Sequence, residues 1–323
     1  MNDRTKRILL WGVACPIFTI LSLVLGFYWT FPYDHARDFI VQEAEKGGTV
    51  QLEITRLEPS WLTGVHAEGV RIAEISEGDA PPAELLLTSV DGRISILSLL
   101  GGTTNVDFEV EVDGGGQIEG NFAQSETSTH IDARIQNLDM RRVGPVRSAV
   151  GLPVFGLAQG EIDLDIGAEA ADTHGTVNLT IANAAVGDGH TPLEIPGMGS
   201  GVTLERLNIG TLEFQMETER GNGEVQRLHA SGEHAELWGT GSIRLAQPFE
   251  RTTLDLLIRV NFTDAYQHSS DRMEAIFSIL EMNPAVRPAR TPNGALQWRI
   301  QGSMGGRIRM VPSGRVPMPE ADE

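Results

Sequence analysis

The sequence predicts a mainly β protein: one N-terminal transmembrane helix, then a long curled antiparallel β-sheet, half-barrel or two-leaved, with a few short helices. Three observations carry this. An uncharged apolar run opens the chain, period-two alternation recurs through most of the remaining residues, and helical periodicity is confined to a few short stretches.

The apolar run covers Ile8 to Phe31, 24 residues without a charge. As a helix it would span roughly 36 Å at about 1.5 Å per residue, enough for a ~30 Å hydrocarbon core. Pro16 is tolerable there, because neighbouring groups in a membrane helix can satisfy the freed backbone. Trp11 stands near one end and Tyr28, Trp29 and Tyr33 near the other, as an aromatic belt requires. Arg4, Lys6 and Arg7 precede the run, so the positive-inside bias puts residues 1–7 in the cytoplasm and everything past residue 31 outside. A cleaved signal peptide would need a shorter apolar core and a small-residue site, which Tyr28-Trp29-Thr30-Phe31-Pro32 does not offer. A lipid-modified Cys15 would strand sixteen apolar residues after the cysteine, so a retained anchor at 8–31 is the expectation.

Residues 32–47 form the junction, where Asp34 to Lys46 reads as an amphipathic helix with Ala36, Phe39, Ile40 and Ala44 on one side, stopped by Gly47-Gly48. Residues 48–311 are the β-rich outer domain. Val106, Phe108, Val110 and Val112 alternate with Asp107, Glu109, Glu111 and Asp113; Ile162, Leu164 and Ile166 alternate with Glu161, Asp163 and Asp165. The same pattern recurs at Val177–Ile181, Leu212–Met216 and Leu296–Ile300. Strands with one dry and one wet face belong to antiparallel sheet. Several carry the phrase Gly-x-apolar-x-apolar, at Gly160, Gly175, Gly210, Gly241 and Gly294, which reads as a hairpin corner of positive φ opening a strand. Their spacing is irregular, which disfavours a solenoid or propeller. Leu138 to Val150 contains Gly144-Pro145 and reads as a broken turn or two short helices. Ala265 to Met282, with Met273, Ile276, Phe277 and Leu280 at helical spacing, reads most simply as a helix packed on the sheet, with a partner groove as the second reading. Residues 312–323 are Pro-rich and acidic and read as a disordered tail.

Charge and composition exclude several functions. The net charge is −19, which removes the basic footprint that nucleic acid needs. A single cysteine excludes an intramolecular disulfide and a Cys-based metal site. No HExxH, Gly-x-Ser-x-Gly or phosphate-loop motif occurs, and His229 and His234 stand at an odd spacing that puts them on opposite strand faces. Paired carboxylates suited to glycoside hydrolysis are easily mimicked by any acidic strand face. The expectation is therefore no enzyme, no cofactor and no metal. The stripe Asp107, Glu109, Glu111 and Asp113 reads as a solvated face, with weak Ca²⁺ binding or a partner surface as its functional readings.

One succession of residues is more distinctive. Phe31-Pro32-Tyr33-Asp34 follows the apolar run, then Leu57-x-Pro59-x-Trp61-x-x-Gly64-Val65, then Gly69-Val70-x-Ile72. This resembles the type II secretion system protein N family (GspN), inner-membrane proteins of the general secretion pathway. The later part, from Leu138-Asp139-Met140 through Val150-Gly151-Leu152-Pro153 to Gly294-x-Leu296-x-Trp298, is similar to the AsmA-like envelope β-proteins. The resemblance implies an accessory, non-enzymatic component of the type II secretion machine, anchored in the inner membrane with its β-domain in the periplasm. Its implied partners are other membrane or periplasmic secretion proteins. The AsmA-like character implies an alternative, a protein that shields phospholipid in an apolar β-groove.

Overall fold

The computed structural model describes residues 37–38, 40–42, 45, 50–60, 63–74, 83–95, 98, 101–193, 202–246, 251–304 and 308–318. The expected transmembrane segment 8–31 and the Phe31–Asp34 box lie outside them. Among the described residues no helix is long and apolar enough to cross a membrane. The described residues between 37 and 45 are helical, with Ile40 39% exposed.

Among the described residues, fourteen strands form one antiparallel sheet. In chain order they begin β1 (Val50–Ser60), β2 (Gly64–Glu74), β3 (Glu84–Ile94), β4 (Thr104–Val112), β5 (Gln117–Gln124), β6 (Ser128–Asp139), β7 (Val154–Gly167) and β8 (His174–Val186). A two-stranded ribbon, β9 (Pro192–Leu193) with β10 (Val202–Thr203), interrupts the meander. The sheet resumes with β11 (Leu207–Glu219), β12 (Asn222–Ser231), β13 (Ala235–Arg244), β14 (Thr253–Phe262), β15 (Leu296–Ser303) and β16 (Arg309–Pro312). Within the sheet each strand pairs with the next in the chain, β8 pairs with β11 across the ribbon, and among the described residues the sheet does not close on itself. Such a meander needs only short connections, which is why alternation alone outlines it.

The short helices sit where the apolar alternation breaks. Between β6 and β7 the chain makes a 3₁₀ turn, Met140–Arg142, and then α1 (Gly144–Val150). These are two short helices, as Gly144-Pro145 requires. Pro145 occupies the start of α1, where its missing N–H costs nothing, and Gly151 closes it at φ 76°. Between β14 and β15 lie α2 (Asp264–Gln267) and α3 (Asp271–Met282), separated where Ser270 caps α3 by accepting from the Met273 N–H.

Among the described residues three apolar clusters hold the structure. The first gathers Ala67, Val70, Leu87, Val112, Leu138, Met140, Val154 and Ala158, with Val143 and Val146 of the α1 region against it. The second joins Ala184, Ile209, Ala230 and Ala235. In the third, Tyr266, Met273 and Ile276 pack on Phe262 and Phe277, which confirms the packed-helix reading of α3. Away from these clusters the apolar face is only half-buried, at Phe108, Phe122, Leu164, Leu179, Phe214, Leu228, Leu256 and Ile300.

Two sequence expectations are corrected. Gly160, Gly210 and Gly241 lie inside β7, β11 and β13 and do not open them. A side chain at any of the three would strike a carbonyl of the adjacent strand: Asn178, Ser231 and Asp255 respectively. Gly210 and Gly241 do take the expected positive φ, at 77° and 141°, but inside their strands, where all three glycines permit close approach of neighbouring backbones. Gly175 and Gly294, at φ 144° and 86°, stand at the start of β8 and just before β15 as expected. Order also extends past Pro312. Gln297, fully buried on β15, donates its amide to the Ser313 and Val316 carbonyls at 2.8 and 2.7 Å, and this fastens residues 313–316 to the sheet.

Candidate functional site: an acidic polar face

The antiparallel register turns alternation into charge rows. One row crosses β1 to β7 as Glu58, His66, Asp91, Glu109, Glu119, Arg134 and Glu161, each the Cα partner of the next. A second runs Arg93, Asp107, Asn121, Asp132 and Asp163. The stripe predicted on β4 thus supplies the middle of two-dimensional acidic rows. Part of this face forms a hollow of about 430 Å³, lined by Ser60, Asp91, Arg93, Asp107, Glu109, Glu119, Asp132 and Arg134 among others.

The stripe carboxylates are held mainly by neutral groups. Asn121 donates to Asp107 at 2.7 Å, Gln117 donates to Glu109, and Ser89 donates to Glu111 at 3.2 Å. Asp113 pairs with Arg142 at 3.4 Å. Amide and hydroxyl donors fix the carboxylates' positions while leaving their charge in place. Asp91, Glu109 and Glu119 stand directly opposite one another, an arrangement that costs a sheet stability. Partial relief comes at the row's ends. Arg134 reaches Glu161 at 3.0 Å and Glu119 at 3.9 Å, and His66 Nδ1 contacts both Asp91 oxygens at 2.9 Å. The Asp91 hydrogen bond is the main cause that raises the His66 pKa above 6.5.

The remaining motif positions are structural. Pro59 and Gly64 flank the β1–β2 turn. A side chain on Gly64 would collide with the Ser60 carbonyl and lie 3.1 Å from that of Gly92. Gly69 has φ +60°, and its carbonyl accepts from Thr55 Oγ1 at 3.0 Å; a Cβ there would lie 2.6 Å from the same oxygen. Thr55-Arg56 and Glu68-Gly69 are consecutive exposed residues on facing strands, so the inside-outside pattern changes phase at this glycine. Trp61 lies outside the described residues, as do Phe31, Pro32, Tyr33 and Asp34.

Sequence reasoning missed one gathering of side chains. His130 of β6 gathers with Asp163 and Asp165 of β7 on the polar face, and His174 of β8 reaches Asp165 at 3.5 Å, so three strands contribute. The signal was present as a polar His-x-Asp at 130–132 and Asp-x-Asp at 163–165, but only the pairing register brings them together. Comparison of the chain with protein-family models, with characterised proteins and with solved structures finds no match.

Proposed function

We propose that this chain is an accessory, non-enzymatic component of type II protein secretion, anchored in the inner membrane by residues 8–31 with its sheet in the periplasm. In this reading the acidic rows dock periplasmic domains of other secretion components. The observation that carries it is the direct opposition of Asp91, Glu109 and Glu119 on adjacent strands. Folding gains nothing from that repulsion, whereas a basic partner surface would turn it into attraction and steering. The Phe31–Asp34 and Pro59–Trp61 segments connect this surface to secretion by resemblance. A photo-crosslinker placed at Ser89, beside Glu111, tests it in intact cells. Capture of secretion-system components, lost on the combined reversal of Asp107, Glu109 and Glu111 to Lys, is the expected result. Deletion that leaves secretion intact but alters outer-membrane permeability would overturn it.

A second reading is favoured by the half-buried apolar face. The close strand approaches at Gly120, Gly160, Gly175, Gly210 and Gly241 support a sheet curled into a half-barrel, since glycine kinks are how sheets are bent. Its apolar interior would then shield acyl chains. Phospholipid that co-purifies from native membranes, and is lost on Leu164→Asp or Phe214→Asp with the fold retained, would support this reading over the first.

A further inference from the structure

We propose that His130, Asp163, Asp165 and His174 form a binding site for a divalent transition-metal ion, with Zn²⁺ as the natural probe. Asp165 is the Cα partner of both His130 and His174, so one carboxylate lies between two imidazoles on three hydrogen-bonded strands. His130 Nδ1 is 2.9 Å from Asp165 Oδ1, and His174 Nε2 is 3.5 Å from Asp165 Oδ2. Asp163 shares the β7 face, and ligand atoms of His130, Asp163 and Asp165 all lie within 4.8 Å of one another. Bonds of about 2.0–2.1 Å to a tetrahedral ion imply ligand–ligand separations of roughly 3.3 Å. The two observed separations bracket that value.

The contacts of the His174 ring support the assignment. Its Nδ1 lies 3.3 Å from the Asp172 carbonyl oxygen, which can only accept. In the tautomer protonated at Nδ1, that carbonyl accepts from the ring and Nε2 presents its lone pair on the side of Asp165. A backbone carbonyl orienting the distal ring nitrogen is the usual support of a metal-binding histidine. Position is fixed from behind as well. Gly175 has φ +144° and leaves no room for a side chain against the Asp163 carbonyl, so β7 and β8 approach closely just where His174 is held.

Charge supplies the driving force. Asp132 and Asp163 are directly opposed across β6 and β7, and neither forms an ion pair among the described residues. A dication beside them converts like-charge repulsion into attraction. Imidazole with carboxylate selects Zn²⁺ and its neighbours over Ca²⁺, which prefers an all-oxygen shell. The exposed side of the cluster leaves a coordination position for water or for a partner's side chain.

The test uses the full-length chain in detergent, free of any affinity tag and stripped with EDTA. Zn²⁺ is titrated against a chromophoric competitor, and the unfolding temperature is followed in parallel. We expect one equivalent to bind, with a rise in unfolding temperature and no comparable effect of Ca²⁺. His130→Ala and Asp165→Asn should each weaken binding by about tenfold or more. His229→Ala, on another strand, should leave it unchanged, and circular dichroism checks the fold of each variant. The proposal is overturned if Zn²⁺ does not bind, or if folded His130→Ala and Asp165→Asn proteins bind it as the native chain does.

Discussion

The ring of Phe108 rests against Gly120. The two residues are Cα partners on β4 and β5, and a Cβ added to Gly120 would lie 2.9 Å from Phe108 Cζ. It would also strike the Asp132 carbonyl on the far side. The glycine therefore serves two neighbours at once, with a flat surface for the ring and a close approach for β6.

Gly120→Val should accordingly destabilise the sheet. Overpacking of this kind costs about 1–3 kcal/mol, and here the backbone of β6 must shift as well. Chemical denaturation of the native and variant chains measures it. An unchanged midpoint would show that β5 and β6 part without cost. Phe108→Ala in the same background should restore little, because the Asp132 carbonyl stays in the way.

How much of this was legible beforehand depended on whether neighbours in sequence or neighbours in space decide. The β4 alternation from Val106 to Val112 was readable because each residue's face follows from its position alone. The role of Gly160 was not, since Gly-x-apolar-x-apolar looks the same at a hairpin corner and beneath a crossing carbonyl. The β4 stripe was visible as a line of carboxylates, but its continuation through Asp91 and Glu119 needed the strand register. His130 and Asp165 are 35 residues apart, and the irregular Met140–Val150 segment between their strands hides the pairing. The fastening of Ser313 and Val316 was hidden too, because a Pro-rich tail gives no sign of a buried Gln297 upstream.

Gln297 makes the second prediction. Its amide satisfies two carbonyls and its oxygen accepts from Arg259 Nε at 2.8 Å, all at a fully buried position. Gln297→Leu keeps the bulk but leaves these groups without partners, at a cost of about 1–3 kcal/mol. Residues 313–316 should detach, so trypsin should cleave after Arg315 faster than in the native chain. Equal cleavage rates would mean that other contacts hold the segment.

The third prediction concerns pH. His66 has a pKa raised above its ordinary 6.5 by the Asp91 hydrogen bond, with burial opposing. A raised folded-state value means the charged pair stabilises fully below pH 6.5, and its contribution fades as pH rises through the folded value. The gap in unfolding temperature between native and His66→Gln chains should therefore be largest on the acid side and shrink towards alkaline pH. The side chain is partly exposed, so the gap is small and should shrink further with salt. A gap that grows with pH would contradict the assigned pair.

The last prediction separates a face selected for docking from one that is merely solvated. Glu109 lies directly between Asp91 and Glu119, so Glu109→Lys replaces two repulsions by two attractions. If the row existed for the sheet's own sake, this change should be harmless to function and favourable to folding. If it exists to meet a basic partner, the same change should leave the unfolding temperature equal or higher while crosslinking to secretion components falls. The charge-neutral Glu109→Gln should do the same more weakly. Both losses should narrow at about 1 M salt, where the Debye length falls to about 3 Å and the native chain's own contacts weaken. A variant that folds better and secretes worse would mark the row as interaction surface. A variant that folds better and captures partners undiminished would remove the acidic face from the secretion reading, and the half-buried apolar face behind it would become the surface to probe.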